Sequence, residues 1–136
     1  MKIGAISPEA AWTIRHQVMW PDKPLDYVKL KDDDRGSHWG LFIENRLVSV
    51  VSLFIDGRRA QFRKFATLQQ EQGKGCGSKL LRHVFEEARL QGADQIWCNA
   101  RAEKAGFYNK FGLAASGEAF EKDGVSYVIM QASLTE

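Results

Sequence analysis

A chain of 136 residues that is 44% hydrophobic, 26% charged and 11% aromatic has room for one sizeable buried core and is short for two. Its formal net charge of +2 argues against a nucleic-acid binder, which carries a strong basic excess, while leaving room for a local basic patch over an anion. The two cysteines, Cys76 and Cys98, have neither C-x-x-C spacing nor a histidine at metal-ligand spacing, so they read as reduced thiols with no metal between them.

The chain begins with "KIGAI" (2–6), a short first strand. Ser7 then offers an N-cap oxygen and Pro8 a ring that suits the first helical position, which predicts a helix over 8–19 with Trp12, Arg15, His16 and Met19 spaced at three or four. Trp20-Pro21 ends it. Residues 21–37 hold two prolines and a block of acids and read as a loop with at most one short helix. From His38 the pattern turns to strands: 38–43, a turn at Glu44-Asn45, 46–55, a turn at Asp56-Gly57 with positive φ expected at both positions, and 58–68. The apolar-rich run 47–55 is interrupted by serines and is too short to span a bilayer, and the N-terminus lacks the apolar stretch of a secretory signal. The expectation is a complete, soluble, cytoplasmic protein of one domain, 1–136, with no nucleic-acid or membrane partner.

After a glycine-rich loop, Leu80, Leu81, Val84, Phe85 and Ala88 form a helical apolar stripe that stops at Gly92. A buried strand (94–100), a second helix from about 102 to 111 stopped by Gly112, and two strands within 114–134 turning near Lys122–Gly124 complete the chain. The order β-α-β-β-β-α-β-α-β-β defines a mixed α/β sheet.

The chemistry centres on "QGKGCGSK" (72–79). Glycines ahead of a helix let backbone N–H groups converge on an anion, and the helix adds its positive end. A P-loop needs glycine where Ser78 stands and a hydroxyl where Leu80 stands; the dinucleotide fingerprint fails at Ser78 and Leu80 and lacks a preceding parallel unit. The loop does fit Q-x-x-G-x-G over Gln72, Gly75 and Gly77, and in this it resembles the pyrophosphate loop of the GNAT acetyltransferase superfamily. The likeness extends over residues 39–113, including "AGFYNKFGL" (105–113), where Leu113 replaces the usual final aromatic residue.

That resemblance implies a GNAT-like fold: an antiparallel meander followed by a β-loop-α-β core whose parallel strands splay into a cleft for acetyl-CoA. It implies cofactor contacts at Phe65, Ala66 and Thr67, at Gln72, Gly73, Lys74, Gly75, Cys76, Gly77 and Ser78, and at Asn99 and Tyr108. Tyr108 matches the family's proton donor to the departing sulfur, and its alternative is a plain core tyrosine. Asn99 matches a polar strand-end position facing the cleft. The reaction implied is acyl transfer, by default acetyl, to a primary amine of a small molecule or peptide; a non-catalytic acyl-CoA-binding module is the alternative. No general base is evident, because residues 58–68 contain no acid; His38, just before the second strand, is the best candidate histidine, and a water chain is a substitute. Lys74 and Lys79 are read as added charge near the phosphates, and Arg63 and Gln61, on one face of their strand, as candidate acceptor-pocket residues. Cys76 and Cys98 are read as packing residues. The acceptor's identity and any homodimer through the last strands stay open.

Overall fold

The structure, a computed structural model, describes residues 1–135. Its elements run β1 (Lys2–Ile6), α1 (Pro8–Met19), β2 (Ser37–Ile43), β3 (Arg46–Asp56), β4 (Arg59–Thr67), α2 (Cys76–Leu90), β5 (Gln95–Arg101), α3 (Ala105–Asn109), β6 (Ala114–Lys122) and β7 (Val125–Ser133). This is the expected mixed α/β order. The Ser7 hydroxyl accepts from the Ala10 N–H at 3.1 Å, and Pro8 opens α1 as its missing N–H allows. Within 21–37 the chain forms two short 3₁₀ turns, Leu25–Val28 and Asp33–Arg35, where one helix at most was expected. The predicted helix over 102–111 is a 3₁₀ turn, Ala102–Lys104, leading into the five-residue α3.

The strands form one sheet in the order β1-β2-β3-β4-β5-β7-β6, antiparallel at every junction except β4–β5. Two-residue turns set the hairpin registers. Glu44 and Asn45 (φ 50° and 65°) and Asp123 and Gly124 (φ 53° and 77°) place both central residues at positive φ, the twist-matched I′ pattern. The β3–β4 turn departs from expectation: Asp56 pairs with Arg59, so the turn is Gly57-Arg58, and positive φ falls on Gly57 alone.

Strand alternation divides the sheet into two faces. Val51 and Leu53 of β3, Ala60 and Phe62 of β4, and Ile96 and Cys98 of β5 are buried, as is the α2 stripe Leu80, Leu81, Val84, Phe85 and Ala88. The Phe62 ring lies 6.2 Å from that of Phe85, which puts this set of residues under α2. On the opposite face α1 covers β2 to β4, with Arg15 reaching Ser52 of β3. Beyond β4 no helix of the described residues covers this second face, and strand β6 is exposed along its whole length. Among the described residues no helix is long and apolar enough to cross a membrane.

Candidate active site

The parallel strands part company early. Only Arg59–Gln61 of β4 pair with Gln95–Trp97 of β5; past those positions neither strand has a partner on its facing edge. A bulge in β4 accompanies the parting: Val50 faces Ala66 and Ser52 faces Arg63, so Lys64 and Phe65 stand against Val51 alone, and Lys64 takes φ 56°. Unpaired main-chain donors and acceptors on a buried edge need partners, and an extended ligand bearing amides supplies them in the manner of an added strand. Phe65, Ala66 and Thr67 lie on this stretch. Ser49 and Thr67 share a hydroxyl contact of 2.8 Å, and the Gln72 side-chain amide donates to the Thr67 carbonyl at 3.0 Å. Gln72 thus ties the loop to the end of β4.

The glycine loop opens at the same end. Gly73 and Gly75 adopt φ 81° and 84°, with nothing within 4 Å of where a side chain would start. Gly75 is the N-cap of α2, so no side chain caps the helix, and its first turn carries no acid. The leading N–H groups of this 15-residue helix therefore present free donors and an uncompensated positive end, a fit to a pyrophosphate. Lys74 is less free than expected. It pairs at 3.1 Å with Glu71, a buried acid also held by Arg46 at 2.9 Å. Lys79 makes no ion pair among the described residues and remains the loop's available cation. Cys76 is buried and packs in the core, and Ser78 is half-buried in the first turn.

Gly77 is small for a different reason. A Cβ there would lie 2.9 Å from Phe65 Cζ and 3.4 Å from Thr67 Oγ1, and the Phe65 ring is stacked on Phe107 with centroids 6.2 Å apart. Gly77→Val should therefore push the loop off β4. We expect binding of a pyrophosphate-bearing ligand at the loop to weaken about tenfold or more, with about 1–3 kcal/mol lost in urea unfolding from overpacking. An unchanged affinity would show that this contact does not set the loop.

Tyr108 sits on the α2 face of the parting strands. Its ring packs 5.8 Å from Phe62 and 5.3 Å from Phe107. Burial pushes its phenol above the usual tyrosine value, and nearby Cys98 adds to the shift while Arg101 opposes it. The hydroxyl has no hydrogen-bond partner among the described residues, and it belongs to a ring packed on Phe62, one residue past the last β4 position that pairs with β5. Cys98 is itself buried, and desolvation pushes its thiol up to about 12, which suits packing and opposes a nucleophilic role. Asn99 alternates with Cys98 and is exposed on the other face of β5. The structure thus brings Asn99 and Tyr108 to the same gap from opposite faces.

His38 is placed differently from its expected role as a base. It is buried, with Nδ1 2.7 Å from Ser52 Oγ and Nε2 2.7 Å from the Asp33 carbonyl oxygen. Both ring nitrogens are engaged, so neither is free to take a proton from an acceptor. It belongs to a buried network around Arg15, whose guanidinium holds both Asp33 oxygens at 2.9 Å and also donates to Val28 O and Ser52 Oγ. Trp12 Nε1 and the Leu30 N–H complete the shell of Asp33. Burial raises the Asp33 carboxyl, but hydrogen bonds from Arg15, Leu30 and Trp12, with the Arg15 charge, outweigh it and hold the group at about 2. Sequence reasoning missed this network, although an arginine in the helix stripe and "DDD" at 32–34 were its visible signals.

Two surface depressions flank the cleft and do not coincide with it. One of about 600 Å³ lies between Gln95, Ala114 and Ala132, away from the loop and Tyr108; one of about 300 Å³, lined by Gln17, Leu68 and Gln72, borders the loop.

A mostly antiparallel sheet interrupted by one splayed parallel pair, a bulged strand and an uncapped glycine-initiated helix define an acyl-CoA-binding transferase fold. The family model described as "Acetyltransferase (GNAT) domain" matches residues 4–134. The chain belongs to the GNAT acetyltransferase family, as an N-acetyltransferase whose acyl donor is acetyl-CoA. The uncharacterized N-acetyltransferase YitI of Bacillus subtilis (strain 168) is 30% identical over 98% of this chain and 97% of its own. Two crystal structures share the fold. One, of a Lactobacillus plantarum protein assigned to the N-acetyltransferases, has a TM-score of 0.88 at 22% identity, covering 98% of each chain. The other, of a GNAT family acetyltransferase from Elizabethkingia anophelis with acetyl-CoA bound, has a TM-score of 0.75 at 14% identity, covering 97% of each chain.

Proposed function

We propose that this chain moves an acetyl group from acetyl-CoA to the primary amine of a small molecule or peptide by direct attack, with Tyr108 as the proton donor. The observation that carries this reading is the buried, protonated Tyr108 phenol, without a hydrogen-bond partner among the described residues and packed on Phe62 beside the point where β4 and β5 part. The donor supplies an activated thioester carbon. The amine nitrogen bonds to that carbon, the C–S bond breaks, the amine gives one proton to water, and Tyr108 gives one to the departing sulfur and regains it from solvent. The loop from Gln72 to Ser78 anchors the pyrophosphate, and Phe65 to Thr67 pair with the amides of the arm. Two buried free thiols, Cys76 and Cys98, suit a reducing, cytoplasmic setting.

One observation favours a second reading, a non-catalytic acyl-CoA-binding module: β4 carries no acid and His38 is fully bonded, so neither supplies a general base. Two measurements decide. Acetyl-CoA and CoA should each raise the melting temperature, and Mg-ATP should not; stabilisation by ATP alone would sink the assignment of the loop. Thiol release from acetyl-CoA across an amine panel should then show turnover, and binding without turnover would favour the module.

A further inference from the structure

The donor's loop and its anchoring helix occupy the α2 face, so an acceptor reaches the thioester from the opposite face, through the gap between β4 and β5. That opposite face can be read residue by residue. Arg63 pairs with Ser52, which Arg15 touches from α1, so Arg63 points to the α1 side. Arg59 lies 5.2 Å over the Trp97 ring, which puts alternating Trp97, Asn99 and Arg101 of β5 on the same side. Arg101 pairs with Tyr127 of β7, and Tyr127 stacks 5.2 Å from Phe120, two positions before Lys122. The Tyr27 hydroxyl comes within 3.5 Å of Asp123, so the loop after α1 meets the tip of the β6–β7 hairpin and the two flank this mouth.

The charges in the mouth leave a positive excess. Asp33 is committed to Arg15 and Asp32 to Arg63 at 3.3 Å, which leaves Asp123 at the hairpin tip as one acid against three cations. Lys64, Arg101 and Lys122 make no ion pair among the described residues. The bulge sets Lys64 at the parting point, where burial and then the charges of Arg15, Arg63, Lys122 and Arg101 lower its pKa. Holding cations together without counter-ions is costly, and an anion relieves the cost.

We infer that the acceptor is an amine that also carries an acidic group, a carboxylate or a phosphate, bound by Lys64, Arg101 and Lys122 on the α1 face of the β4–β5 gap. This rests on the transferase reading above. The same cations give the acceptor a second advantage: positive surroundings favour the neutral form of its amine, which is the form that attacks. That supplies part of what a missing base would do. An acceptor with a second ammonium is repelled instead.

The test uses the full chain and matched acceptors. Thiol release is followed with amino acids against their amides, and with 2-aminoethyl phosphate and β-alanine against ethanolamine and ethylenediamine. The expected result is a kcat/KM at least about tenfold higher for the acidic member of each matched set, the worth of one charge-assisted hydrogen bond; the carboxylate and phosphate arms tell which anion is preferred. Lys122→Gln, exposed on the hairpin, and Arg101→Gln should each raise the KM for the acidic acceptor about tenfold and shrink its advantage over the matched neutral amine. Equal or better turnover of amides or diamines overturns the inference while keeping the transferase. So does donor stabilisation with no turnover of any acidic amine. No stabilisation by acetyl-CoA overturns both.

Discussion

Tyr108→Phe should lower kcat by about 10²-fold or more, the usual worth of a positioned general acid, while the KM for acetyl-CoA and the melting temperature stay close to wild type. The ring contacts with Phe62 and Phe107 survive the substitution, because only the hydroxyl is removed. The pH profile is the second readout. The proposed donor role needs Tyr108 protonated, and burial raises its pKa, so the phenol keeps its proton well past the ordinary tyrosine value. The wild-type rate should rise with pH as the acceptor amine loses its proton, with no fall attributable to Tyr108 below pH of about 10. A variant within threefold of wild type at every pH would remove Tyr108 from the mechanism.

Asp33→Ala should destabilise the chain by about 3–5 kcal/mol, because it strands the fully buried Arg15 guanidinium without its carboxylate. For a domain of this size that is a fall in melting temperature of roughly 10–20 °C. Replacing both partners, Arg15→Met with Asp33→Leu, should cost less than Asp33→Ala alone, since no buried charge remains. The pH dependence has a definite sign. The Asp33 carboxyl is lowered in the folded state from 3.8 to about 2, so its contribution is complete above about pH 4. It is lost as pH falls from there through about 2. Urea unfolding of the wild type should steepen across that window, and Asp33→Asn should remove that part of the slope. A loss under about 1 kcal/mol for Asp33→Ala would mean that solvent reaches Arg15.

These two residues differ in how visible they were. Tyr108 and the glycine loop stand out in the sequence because the patterns that carry them are local. A loop that cradles an anion needs positive φ and free N–H groups at neighbouring positions, so Gly73, Gly75 and Gly77 must be close in the chain. The α2 stripe is visible for the same reason, as its 3.6-residue period is written into consecutive positions. Asp33 is not visible in that way. In sequence it is the middle of three acids in a proline-bounded loop, and only the fold shows that it is buried beneath α1 with Trp12, Arg15 and Leu30 around it. His38 was misjudged for the same cause: the start of a strand does not reveal that Ser52 and the Asp33 carbonyl close over both its nitrogens.

Turn chemistry shows the boundary at a finer scale. Asp56-Gly57 carries the hairpin signature, yet the β3–β4 register puts the turn one residue later, at Gly57-Arg58. Strand pairing over Arg46–Asp56 and Arg59–Thr67 outweighs a dipeptide preference, because a one-residue slip would turn the buried Val51, Leu53 and Phe62 out of the core.

By itself, then, the sequence determines the order of elements, the glycine loop and the family, since each rests on spacing along a few consecutive residues. Only the tertiary structure decides where β4 and β5 separate and that Asn99 and Tyr108 flank the gap from opposite faces. It alone gathers Lys64, Arg101 and Lys122 at one mouth. Their charges meet through strand register and a bulge, which are properties of long-range pairing that no local pattern encodes.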